Sequence, residues 1–132
     1  MSERNTHFKA GLLIGFLVAA STLIEAGKMV AVNAAGYLVE ATDVAAIIVV
    51  GIANQTIDNS TGANGDLTCL VKRGELYKLR NSGTAAVTQV SVGSNVYVED
   101  DETVAIVSGP TNDIVAGKCL GVESDGVWVA IN

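Results

Sequence analysis

The sequence predicts an all-β protein, built as a small β-barrel or sandwich of short antiparallel strands. Three observations predict it. Turn chemistry recurs at intervals of roughly ten residues, the spacing of β-barrels and sandwiches. The runs between the turns are short and rich in Val, Ile and Ala, whose compact or branched side chains suit a pleated surface. No apolar pattern of helical period extends beyond a turn or two, the one candidate being Thr42-Asp43-Val44. The 132 residues make one domain's worth of chain, long enough to hold a core without staples.

Taken in order, residues 1–9 are polar and read as irregular. Residues 10–24, AGLLIGFLVAASTLI, are continuously apolar or small. Three readings stay open for them. A membrane helix needs ~20 apolar residues, and Gly11, Gly15, Ser21 and Thr22 weaken this run. A signal peptide has the charged start and the apolar centre, but Arg4 and Lys9 are offset by Glu3. The third reading is an extended arm leading into a buried first strand at residues 16–20.

From Glu25 the β signals become regular. Residues 25–28 are a turn, 29–32 a strand, 33–36 a turn and 37–40 the returning strand of a hairpin. Residues 45–53, AAIIVVGIA, are too apolar for a half-solvated strand and belong in the middle of a sheet. Residues 54–66 form a polar loop. Residues 67–72 are a strand, Arg73-Gly74 a turn, and 75–79 its expected partner. A turn at 81–83 and a strand at 87–92 follow. The densest region of β signals is residues 92–132. There 96–98 and 104–107 flank an acidic tip, and 119–122 and 127–131 flank Ser124-Asp125-Gly126, a strong hairpin signal because glycine accepts a positive φ. Val127, Val129 and Ile131 share one face of the last strand and Trp128 and Ala130 the other. Neither face is polar, so burial on both sides is expected.

Hydrophobic residues make up 49 % of the chain and charged residues 17 %, too apolar for disorder. A small domain has much surface, so this excess is most simply buried against partner subunits. The formal net charge of −6, with no basic cluster beyond Lys72-Arg73, argues against a nucleic-acid partner. Cys69 and Cys119 sit in separate apolar runs without a CxxC motif. They read as buried reduced thiols, with a disulfide possible only if their strands are neighbours.

No catalytic or cofactor constellation emerges. Glu99-Asp100-Asp101-Glu102 is consecutive, so its carboxylates splay apart, and the spacing is not that of a calcium loop. A solvated hairpin tip that guards the sheet against edge pairing is the expectation. His7 is the only histidine and lies in the polar start, away from any base-orienting partner. The glycines of Gly62-Ala63-Asn64-Gly65-Asp66 do not open a helix, as a phosphate cradle would require. Asn54-Gln55-Thr56 and Asn59-Ser60-Thr61 match the glycosylation pattern, which matters only in a eukaryotic secretory setting. Trp128 reads as core or subunit interface.

One ordered set of stretches adds a family resemblance. Ser2-Glu3-Arg4-Asn5-Thr6 opens the chain. Val18-Ala19-Ala20, Ala26-Gly27, Val30-Ala31-Val32-Asn33-Ala34, Gly36-Tyr37 and Val50-Gly51 follow. Then come residues 58–66, DNSTGANGD, Val71-Lys72-Arg73-Gly74, residues 97–105, YVEDDETVA, and Asp125-Gly126-Val127-Trp128-Val129. The set spans nearly the whole chain. It resembles the capsid decoration, or cement, proteins encoded beside the major capsid protein in Mu-like tailed bacteriophages and prophages. Residues 8–17 are more apolar here than the polar segment, often with a proline, that precedes Val-Ala-Ala in that family.

The resemblance implies a β-rich, β-tulip-like fold with an extended N-terminal arm. It also implies a homotrimer on the outer capsid surface of the virion, at local threefold positions, made in the bacterial host cytoplasm. The expected role is non-enzymatic: locking neighbouring major capsid protein subunits together, with no membrane, metal or cofactor involved. Residues 1–17 are expected to be the arm and residues 18–132 the single β domain. Within the arm, Phe8, Leu12, Leu13, Ile14 and Phe16 would supply apolar contact area, and Arg4 and Lys9 would meet acidic capsid groups. The rival expectations are a head-fibre base or tail component on the same β domain, and an exported or membrane-tethered β domain. An enzyme or small-ligand binder would need a polar convergence that the sequence lacks.

Overall fold

The computed structural model describes residues 13–131. These form twelve short strands and one 3-10 turn, so the all-β expectation is met. The strands are β1 Leu13–Leu17, β2 Thr22–Ile24, β3 Met29–Val32, β4 Leu38–Glu40, β5 Ile48–Ala53 and β6 Ile57–Asn59. They continue as β7 Thr68–Lys72, β8 Glu75–Asn81, β9 Asn95–Val98, β10 Thr103–Ala105, β11 Val115–Glu123 and β12 Gly126–Ile131.

Two units share the chain. The first is a five-stranded antiparallel sheet in the order β1-β7-β5-β3-β4. It curls far enough for Val18 to bridge Leu38 of β4, while β2 and β6 pair as a separate two-stranded sheet. The second is a closed barrel, β10-β8-β12-β11-β9, antiparallel except where β10 runs parallel to β8. Each unit has its own core. Val18, Ile24, Val30, Leu38, Cys69 and Val71 fill the curled sheet. The barrel interior, with Val96, Val98, Cys119, Val127, Val129 and Ile131, runs on into the opposite face of the sheet through Met29, Ala31, Val49 and Ile52.

β5 lies in the middle of the sheet, as its apolar run predicts, and serves both cores. Val49 and Ile52 face the barrel, and Val50 and Ala53 face the other way. A regular strand would point residues 49 and 52 to opposite faces. The register shift beside β3 resets the alternation and puts both in one core. A side chain at Gly51 would run into the Lys72 carbonyl, so this bulge requires glycine.

Four expectations are corrected. β8 does not return along β7. Gly74 adopts a φ of +77 and donates its N–H to the Ile131 carbonyl, so Arg73-Gly74 is a corner that passes the chain from sheet to barrel. The strand expected at 87–92 is a 3-10 turn at Gln89–Ser91. There the Asn81 side-chain amide supplies both hydrogen bonds that a ladder would have given Val87. β12 is buried on one face only: Trp128 is 36 % exposed and Ala130 half-buried. Finally, the acidic tip is not a free solvated turn. Asp101 accepts the Met29 N–H through its backbone carbonyl, and the Lys28 Nζ lies 2.8 Å from Glu102 and 3.4 Å from Asp101. The tip therefore docks on the start of β3 and ties barrel to sheet.

Candidate functional site

The described residues offer little for bond-making chemistry. No group of three or more His, Cys, Asp or Glu side chains among them could hold a metal, and His7 lies outside them. Cys69 and Cys119 are free, buried and in different cores, so a disulfide between them has no geometry. Burial pushes the Cys69 thiol up, away from nucleophilic thiolate. Asn59 is buried and its amide donates to the Ala19 and Ala63 carbonyls at 2.9 and 3.0 Å, so it is no glycan acceptor. No helix among the described residues is long and apolar enough to cross a membrane.

The carboxylates at the tip are occupied by structural work. The Lys28 hydrogen bond, with help from Arg80, holds the Glu102 carboxyl below its usual range. Glu40, half-buried beside Asp101, is pushed up by burial. Asp43 accepts the Thr111 and Asn112 N–H groups at 2.7 and 2.8 Å, and these bonds hold its carboxyl low. It thereby pins the loop containing Pro110 to the segment before β5.

What the described residues do present is apolar surface. Fifteen large apolar side chains among the described residues are at least 36 % exposed, and several of them lie together. One patch lies on the barrel. Two shallow depressions of about 370 and 600 Å³ meet at Asn95 and Lys118 on the β9–β11 pair. Ile48, Val115, Ile106, Val107 and Val90 border them, with Ile48 69 % and Val90 93 % exposed. Lys118 is the only charged residue lining either depression. The sequence hid this patch because β11 begins at Val115, four residues before the strand expected there, and Lys118 is a neighbour of Asn95 only through pairing.

A second patch lies on the sheet. Leu13 and Leu17 of β1 and Leu70 of β7 share one face. Trp128 is exposed among charged side chains: its Nε1 donates to Glu123 at 2.8 Å while Lys78 sits 5.9 Å from the ring centre. Lys78 also binds Asp125 at 2.6 Å, so this indole is held in place by its own chain.

Of the residues expected to contact a capsid, Arg4, Phe8, Lys9 and Leu12 lie outside the described residues. Leu13, Ile14 and Phe16 fall in β1, paired with Lys72, Val71 and Cys69. Leu13–Leu17, inside the segment expected to be arm, is therefore part of the sheet. Leu13 faces outward, and Phe16 packs against the curled-sheet core. No family model, curated protein or solved structure matches the chain.

Proposed function

We propose that the chain is a virion structural protein that decorates and stabilises a mature phage capsid by binding between major capsid protein subunits. It acts as a homotrimer at threefold positions on the outer shell, without enzymatic activity. The observation that carries the reading is the patched apolar surface around a doubly cored β domain, set beside the ordered motifs that resemble cement proteins. A rigid block with several contact faces suits a part that holds neighbours together. A protein that binds only the expanded lattice stabilises that lattice by mass action, and three copies joined as a trimer act with avidity.

Residues 1–12, with Arg4, Phe8, Lys9 and Leu12, lead into β1 and form the segment that reaches the capsid. Leu13 continues that surface onto the folded domain.

The test is co-sedimentation of the purified chain with undecorated, expanded capsids of its own phage. Saturation near one copy per major capsid subunit supports decoration. Binding at a few sites per shell would move the reading to a head fibre or tail component, and no binding would refute it. Deleting residues 2–12 leaves β1 intact and is expected to abolish attachment while sparing the fold.

A further inference from the structure

Asn64-Gly65, in the polar loop between β6 and β7, is the only asparagine-glycine pair in the chain. Glycine has no side chain to shield its nitrogen, so such a pair is prone to deamidation. Asn64 is exposed, and water reaches its amide. Yet both reacting groups are engaged elsewhere. The Asn64 Oδ1 accepts the Ala20 N–H at 2.7 Å. The Gly65 N–H, on a residue with a φ of +80, donates to the Val18 carbonyl at 2.9 Å. Both partners lie in the crossing after β1, where Val18 and Ala19 are buried. Two further ties join the loop to this crossing. The Ser21 N–H donates to the Gly62 carbonyl at 3.2 Å, and the Asn59 amide bridges the Ala19 and Ala63 carbonyls at 2.9 and 3.0 Å.

We propose that Asn64 is a modification site gated by this docking: when residues 60–66 lift from residues 18–21, Asn64 deamidates, and the isoaspartate it leaves keeps the loop from docking again. In the step, the Gly65 nitrogen gives its proton to solvent base and bonds to the Asn64 Cγ. The Cγ–Nδ2 bond breaks, and Nδ2 leaves as ammonia with a proton from water. Water then opens the cyclic imide at either of its carbonyls. One opening gives aspartate. The other gives isoaspartate, which routes the main chain through Cγ and lengthens it by one carbon. The docked loop blocks the attack, because the Gly65 N–H is bonded to Val18 and the Asn64 side-chain carbonyl is bonded to Ala20. An aspartate at this position still offers an oxygen to the Ala20 N–H. An isoaspartate shifts Gly65 against residues 62 and 63, so the loop loses the register that lets it bond to Val18, Ala20 and Ser21 together. The loop thereby keeps an irreversible record of its own opening.

The test ages the full chain in mildly alkaline buffer, native and in denaturant, and follows Asn64 by peptide mapping with fragmentation that distinguishes isoaspartate. The native chain is expected to deamidate about tenfold or more slowly than the denatured one, because opening must break the bonds to Val18 and Ala20. On warming, the native rate should rise in step with hydrogen exchange of the Gly65 amide, which the same opening exposes. Asn59→Ala cuts the ties to Ala19 and Ala63 and should speed the native reaction. Asn64→Asp should keep the wild-type melting transition, whereas the purified isoaspartyl chain should melt lower. Equal rates in the native and denatured chains, or an Asn64 that stays an amide in denaturant, would overturn the proposal. So would a native rate that ignores Gly65 exchange, an Asn59→Ala rate equal to the wild type's, or an isoaspartyl chain that melts with the wild type.

Discussion

Asn59→Ala is the most informative single change in the fold. Asn59 is 2 % exposed and its Nδ2 donates to the Ala19 and Ala63 carbonyls at 2.9 and 3.0 Å. It thus ties the end of β6 to the crossing after β1 and to the polar loop at 60–66. Removing the amide deletes two hydrogen bonds and strands the buried Ala19 carbonyl, while the exposed Ala63 carbonyl keeps the Asp66 N–H. At about 1–2 kcal/mol for each such loss, the variant is expected to lose about 2–4 kcal/mol. For a domain of this size that corresponds to a fall of about 8–15 °C in Tm. The assay is thermal and denaturant unfolding followed by circular dichroism. Asn59→Asp sharpens it, because a carboxylate facing two carbonyls cannot donate. Burial raises that acid's pKa in the fold, so its contribution is lost as pH rises through the folded value. The Asp variant should be worse than Ala at pH 7 and recover toward pH 4. An Asn59→Ala protein within about 0.5 kcal/mol of the wild type would refute the bonding argument.

Gly117→Ala should destabilise strongly, since a Cβ there would run into the Ala130 carbonyl and lie 2.8 Å from the Val129 Cγ1, and chemical denaturation reads the loss. It should be worse than Gly83→Ala, where an added Cβ meets nothing within 4 Å. Lys28→Met should lower stability at neutral pH. Glu102 is held low in the fold by Lys28 first, so that stability is present above the ordinary carboxylate range and is lost as pH falls through the folded value. The gap between variant and wild type should therefore close in acid, and an equal gap at pH 3 and pH 7 would contradict the clasp. Cys69 and Cys119 should both react with a thiol reagent only after unfolding, and fast labelling of the native chain would contradict their burial.

Much of the fold was legible because it depends on local chemistry. The hairpins β3–β4, β9–β10 and β11–β12 each join β-branched runs through turn residues, and the central place of β5 follows from its unbroken apolar run. The failures share a cause. The Arg73-Gly74 pair resembles a hairpin turn, but the Gly74 N–H goes to Ile131, fifty-seven positions away, and that distant bond swings β8 into the barrel. Val87 needs no strand partner because Asn81 satisfies its backbone.

The sequence alone determined the class of the protein and its strand-and-turn units, because side-chain branching and turn dihedrals act over a few residues. It also showed an apolar excess, though not where that excess would emerge. Only the tertiary structure decided that the chain splits its strands between a curled sheet and a closed barrel. It turned a run of four acids into a clasp on Lys28, set Lys118 between two depressions bordered by Ile48 on one side and Val107 on the other, and curled the sheet until Val18 met Leu38. Each of these joins residues far apart in the chain, and such contacts follow from register and packing, which no short stretch encodes.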